Sequence, residues 1–203
     1  AWGQWNGNTR GRADAADRFR SHGTLLFSHV RRLQIRNVTI RQCRPHAIQI
    51  SNCSHFLVDG IRFEEQRRDG VHINGPASYG VVRDIRNAKG RMGDDMVALN
   101  GWDWKNTSMT FGPIHHVLVE QVNGAGEPPG TKENDARAEI RLLPGTKRFG
   151  DGTVLACDIG DCVFRNIAGI KTFKLYDQPN LELGRDNDFA EPIGTVRSIY
   201  FSN

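Results

Sequence analysis

The sequence predicts an all-β fold in which the chain winds as a parallel β-helix, with coils of about 22–25 residues. Three observations predict it. Short aliphatic segments recur at a nearly fixed interval, the signature of a repeat architecture. In a second, interleaved series each segment is four to six residues of aliphatics closed by Asn, Gly or Pro, which is strand punctuation with a period of two. No stretch sustains a helical period for more than two turns; "ADAADRFR" at 13–20 is the best helix candidate and it is short.

The segments justify themselves in order. "LQIRNVTI" (33–40) is echoed by "FLVDGIRF" (56–63), which sets Val58 23 residues after Ile35. "GVVRDIRN" places Val82 a further 24 on. "HVLVEQVN" brings Val119 after 37 and "CVFRNIAG" brings Phe164 after 45, so residues are inserted between those echoes; "VRSIYFSN" follows near the end. A second series sits about 13 residues after the first: "HAIQISN", "DGVHING", "DDMVALN" and "AEIRLLPG". Strands stacked at this interval bury aliphatics inward and leave the corners to Asn and Gly. A propeller blade needs a period near 40, and a leucine-rich repeat needs helical spacing between strands. Long loops are expected near 101–114, 123–137 and 176–194, the last two rich in Gly, Pro and charge. The 203 residues form one β-helical domain (1–203), and the lack of an obvious cap suggests a segment of a longer chain.

Composition narrows the partners. The 27 Lys+Arg against 23 Asp+Glu give a net charge of +4 and a pI near 9.0. That mild basicity suits an anionic ligand such as an acidic polysaccharide. No basic run is longer than the pairs Arg31–Arg32, Arg67–Arg68 and Lys147–Arg148, so no nucleic-acid partner is expected. No apolar run approaches the roughly 20 residues of a membrane helix, so no membrane partner is expected. Cys43, Cys53, Cys157 and Cys162 lack metal-site spacing, and neither a metal nor a cofactor is expected. Their even number permits two disulfides in three pairings; small buried hydrophobes are the equal alternative. Asn37, Asn52 and Asn106 open glycosylation sequons, which matter in a secreted eukaryotic protein.

The chemistry gathers where the coils stack. Aligning "RRDGVHING" with "MGDDMVALN" sets Asp69 on Asp94 and Gly70 on Asp95. Neighbouring rungs lie about 4.8 Å apart, so Asp69, Asp94 and Asp95 form one patch. Crowded like charges raise at least one pKa, the setting for a carboxylic acid beside carboxylate bases. Strict alternation with Val97 and Leu99 would turn Asp95 inward; a bend at Gly93 is expected to break the phase and turn the acids to water. His72, between inward Val71 and Ile73, is expected to face outward with them. The bland alternative is an Asp ladder that caps turn amides.

These residues resemble a known family. "RRDGVHINGP…MGDDMVALN" is similar to the paired signature of glycoside hydrolase family 28, the polygalacturonase-like enzymes, and the run from "GTLLFSHVRRLQIRNVTI" to "LVDGIRFEE" supports it. The resemblance covers roughly residues 5–100. It implies a right-handed, pectin-lyase-like β-helix and a secreted enzyme, extracellular or periplasmic, that hydrolyses a polysaccharide or oligosaccharide. Asp94 resembles the general acid, and Asp69 and Asp95 the carboxylates that activate water. It implies inversion, with a carboxyl gap of roughly 6.5–9.5 Å. The family's Gly-His-Gly and Arg-Ile-Lys motifs are missing, which implies a divergent relative with another glycan as substrate.

The expected substrate-binding residues are His72, Trp102, Trp104, His116 and Arg141. Trp102 and Trp104 suit stacking on the apolar face of a sugar. His115 and His116 sit at a strand entry, one packed and one exposed. Arg141 suits a bidentate grip on a carboxylate, with an ion pair to Glu139 or Asp135 as the alternative. Two other functions share the fold: a polysaccharide lyase, which needs a Lys or Arg base and often Ca²⁺, and a non-catalytic glycan-binding or structural β-helix.

Overall fold

The structure, a computed structural model, describes residues 23–102, 110–125, 138–175 and 194–203. The helix candidate at 13–20, Trp104, Asp135 and most of the expected loops lie outside the described residues. Within them the chain is all-β. In order the strands are β1 (Leu25–Ser28), β2 (Gln34–Arg41), β3 (Ile48–Gln66), β4 (Val71–Met92), β5 (Asp95–Asn100), β6 (Ile114–Asn123), β7 (Glu139–Leu143), β8 (Gly145–Arg148), β9 (Val154–Cys157), β10 (Ile159–Ala168), β11 (Thr172–Leu175) and β12 (Val196–Ser202).

All pairings but one are parallel. The first ladder joins β2, β3, β4, β6, β10 and β12, and its register sets Ile35, Val58, Val82, Val119, Phe164 and Phe201 in one column. The second joins β1, the start of β3, the start of β4, β5, β7 and β11, with Ile48, Val71, Val97, Ile140 and Phe173 in one column. β3 and β4 are long because each runs through both ladders. The exception is the antiparallel hairpin β8–β9.

The chain turns at the same phase of every rung. Asn37, Gly60, Asp84, Gln121 and Asn166 all take φ between 48° and 69°, and their flanking residues pair rung to rung. A left-handed residue breaks the pleat and swings the chain to the next face. Asn and Asp tolerate it, and Gly60 leaves room where a Cβ would lie 2.6 Å from the Asn37 Oδ1.

Inside the turns lies one aliphatic core. Ile48, Ile50, Val58, Ile61, Val71, Ile73, Val82, Ile85, Val97 and Leu99 are fully buried, each worth about 1.5–3 kcal/mol when removed from water. Cys43, Cys53, Cys157 and Cys162 belong to the buried set and are free thiols rather than disulfides. Desolvation holds Cys162 up to about 11, which keeps it an inert hydrophobe.

Candidate active site

The acids sit where the rungs of the second ladder begin. Gly70 follows Asp69 because a Cβ there would meet the Phe63 ring at 2.4 Å and the Met96 carbonyl at 2.8 Å. Gly93 precedes Asp94 because a Cβ there would meet the Arg67 carbonyl at 2.1 Å, and its N–H donates to the Gln66 carbonyl. Each aspartate therefore emerges beside a glycine that lets two rungs approach. Gln66 Nε2 donates to the carbonyls of Pro45 and Asp69, tying the entry of β4 to the rung below.

The register differs by one residue from the aligned motifs. Val71 pairs with Val97 and the Gly70 N–H donates to the Asp95 carbonyl, so Asp69 is level with Asp95 rather than Asp94. The pairing of β5 with β7 slips between Asp95 and Val97, where Met96 is an extra residue. That irregularity, not Gly93 alone, breaks the alternation.

Asp69, Asp94 and Asp95 do come together: one carboxylate oxygen from each lies within 4.8 Å of the others. The expected water-facing groove does not follow. Asp69 is 2% and Asp95 0% exposed, and Asp94 alone keeps a side chain with 22% exposure. The spacing is also tighter than the gap of roughly 6.5–9.5 Å that inversion needs.

Burial is possible because the acids are paired. Arg141 places Nε 3.0 Å from the Asp95 Oδ2 and a terminal nitrogen 3.4 Å from the Asp94 Oδ1. Arg141 shares a column with His72 and the small Ala98. So Arg141 is engaged inside the cluster instead of waiting for a substrate carboxylate. Glu139, its expected alternative partner, pairs with Lys174 one rung on. Asp69 accepts a 2.5 Å hydrogen bond from His72 Nδ1, and His46 Nε2 lies 3.8 Å away. The two imidazoles stack at 4.1 Å with planes 12° apart. His72 thus lies on the face of the acids, as expected, but it is fully buried instead of outward and exposed.

Charge separates the carboxyls. Burial raises Asp95 well above the usual carboxylate range, and the Asp69 charge adds to it; Arg141 opposes without overcoming them. Burial acts on Asp69 too, but His46, the hydrogen bond from His72 and the Arg141 charge outweigh it and hold that carboxyl low. One neutral acid beside one fixed carboxylate is the arrangement that acid–base chemistry requires.

Two donor sets are spaced for a cation: His46, Asp69 and His72, and Asp69, Asp94 and Asp95. In the first, both His72 nitrogens are already within hydrogen-bonding distance of Asp69 and Asn74. In the second, Arg141 occupies the position of a counter-ion.

The remaining expected residues lie elsewhere. Trp102 is 3% exposed, packs edge-on against Phe111 at 5.2 Å and covers Gly145; it is a core residue rather than a sugar platform. Its neighbours Phe111 and Phe149 extend that aromatic cluster. His116 is exposed, at a left-handed corner of the other ladder, stacked on Tyr79 at 5.0 Å. Its ring sits 5.0 Å from His115, with the two Nδ1 atoms 2.8 Å apart. His46, Gln49, Asn74 and Lys174 join the site without having been singled out in the sequence. The available signal was their phase: Gln49 and Lys174 share a column with His72 and Arg141.

Comparison with protein-family models, with curated proteins and with solved structures gave no match.

Proposed function

We propose that this chain is a polysaccharide-directed glycoside hydrolase of the polygalacturonase-like kind, on a right-handed, pectin-lyase-like parallel β-helix, and that it acts outside the cytoplasm. One observation carries the reading: three aspartates from two rungs meet within 4.8 Å, with Asp69 held ionised and Asp95 held neutral. Asp94 is the member with an exposed side chain, so it is the group that touches the glycosidic oxygen and protonates it. Asp95 is the neighbouring proton reservoir, and Asp69 is the base that takes a proton from water. The trio titrates as a unit. Inversion, which the resemblance implies, requires Asp69 and Asp94 to part and admit a water. Retention, in which a second carboxylate roughly 5–5.5 Å from the acid acts as nucleophile, is the other outcome. The anomer formed first, read by NMR, separates the two.

Asp94→Asn is expected to abolish reducing-end release from a panel of plant and microbial polysaccharides, with circular dichroism and melting unchanged. Wild-type turnover in that variant would remove Asp94 from the mechanism. A second reading, a glycan-binding or structural β-helix without turnover, draws on the burial of Asp69 against His72 and of Asp95 against Arg141. Glycan binding with no cleavage by the native chain would favour it.

A further inference from the structure

Charge on the outside of the stack follows two patterns. Along Arg36, Asp59, Arg83, Glu120 and Arg165 the sign alternates and ion pairs form between rungs. At the rim of the acid cluster it does not alternate. The Arg67 N–H donates to the Cys43 carbonyl, and the Gly93 N–H donates to the Gln66 carbonyl. In a parallel ladder those bonds set Arg44, Arg67 and Gly93 level on three successive rungs. One residue on, Arg68 is level with Asp94, the acid whose side chain reaches the surface. Arg44, Arg67 and Arg68 are all exposed, and among the described residues none of their side chains makes an ion pair or a hydrogen bond. A Cβ at Gly93 would meet the Arg67 carbonyl at 2.1 Å, so the third place in the column carries no side chain to neutralise the other two.

Like charges level on neighbouring rungs repel, and salt screens that repulsion without reversing it. An oxyanion lying across the guanidiniums does reverse it, because each fork donates paired N–H groups to its oxygens. The density of charge selects the oxyanion. The three arginines fall within one rung spacing, about 4.8 Å along the axis, which is of the order of a single sugar residue. A carboxylate has two oxygens, and one guanidinium fork satisfies both. A sulfate ester has three terminal oxygens and accepts from several guanidiniums at once. Arg141, expected to grip a substrate carboxylate, is engaged with Asp94 and Asp95 instead.

We propose that Arg44, Arg67 and Arg68 form an oxyanion-binding rim beside Asp94 that takes the sulfate esters of a sulfated polysaccharide. The inference rests on the hydrolase reading only for the place of the sulfated sugar next to the bond that Asp94 protonates. The guanidiniums stay charged at every working pH, so the rim holds its ligand by charge and oxygen geometry alone.

The test measures binding of the full chain to dextran sulfate, polygalacturonate, uncharged dextran and single-stranded DNA at one ionic strength. Dextran sulfate is expected to bind at least about ten times more tightly than polygalacturonate or DNA, and dextran not at all. Arg67→Gln with Arg68→Gln is expected to weaken dextran sulfate about tenfold. Arg31→Gln with Arg32→Gln removes the same charge at another exposed corner of the stack and is expected to leave binding unchanged. Arg44→Gln reaches the rim from the neighbouring rung, weakens binding in the same direction, and serves if the Arg67–Arg68 variant fails to fold. Equal losses in the two double variants would mean diffuse basicity and overturn the proposal. So would native affinity in the folded rim variants, or polygalacturonate or DNA bound as tightly as dextran sulfate. Sulfate-dependent binding that the rim variants weaken, with no cleavage of any sulfated glycan, sinks the hydrolase reading and leaves the rim standing.

Discussion

Asp95 is the residue whose energetics are most exposed to test. Its folded pKa is raised by burial and by Asp69, so the folded chain binds a proton that the unfolded carboxyl releases above about pH 3.9. Stability is lost from this residue as pH rises through that interval. Asp69 has the opposite sign: its carboxyl is held low, so its contribution is present above pH 3.9 or so and is lost as pH falls. Asp95→Asn mimics the protonated acid. It is expected to melt with the native chain below about pH 4 and progressively above it as pH rises. Parallel melting curves for the two chains from pH 4 to 9 would show that Asp95 is not held neutral. At this scale the gathering of the three acids was legible in the sequence, and so was the place of His72 on their face. Their burial was not legible, because exposure depends on Arg141 and His46, which reach the cluster from other rungs.

At the scale of the element, the acids depend on glycines that allow close approach. Gly70→Ala pushes a methyl into the Phe63 ring and the Met96 carbonyl, an overpacking expected to cost about 1–3 kcal/mol. It also moves Asp69, whose carbonyl accepts from the Ala47 N–H. Denaturant unfolding should show the loss, and a variant as stable as the native chain would mean that the rungs can spread there. The β8–β9 hairpin was missed in the aliphatic echoes, because β9 is largely exposed and β8 has no aliphatic residue. Its signal was the Asp151-Gly152 pair: Gly152 takes φ +85° and Phe149 exchanges hydrogen bonds with Thr153 and Gly152 across the turn. The extra residue at Met96 was equally silent, since counting from one Asp-containing motif to the next gives 25 or 26 with equal ease.

At the scale of the whole molecule, cohesion is uneven. β3, β4 and β5 are buried along most of their length, whereas β9 and β12 are largely exposed. Stability in stacked repeats is a sum of neighbour terms, so opening is expected to begin at weak rungs. Amide exchange should be slowest in the paired interior of β3–β5 and fastest in β9 and β12. Uniform protection would indicate a single cooperative unit instead. Down the outer face, Arg36, Asp59, Arg83, Glu120 and Arg165 share one column, and Arg83 pairs with Asp59 at 2.9 Å and Arg165 with Glu120 at 2.7 Å. These pairs are solvent-screened and add little stability. Their alternation favours the native register, because a slip of one or two residues separates the opposite charges.

The sequence by itself determined the repeat, the inward columns from Ile35 to Phe164 and the gathering of three aspartates at the start of neighbouring rungs. These follow from local pattern: period-two hydrophobicity, corner residues and spacing are written along the chain. Only the tertiary structure decided that Asp69 pairs level with Asp95, that Trp102 packs inward, that Arg141 is spent on the acids, and that His72 is sealed beneath them. Each of these depends on which side chains arrive from rungs 20 to 70 residues away, and the balance between burial cost and pairing that sets them is a property of the assembled stack.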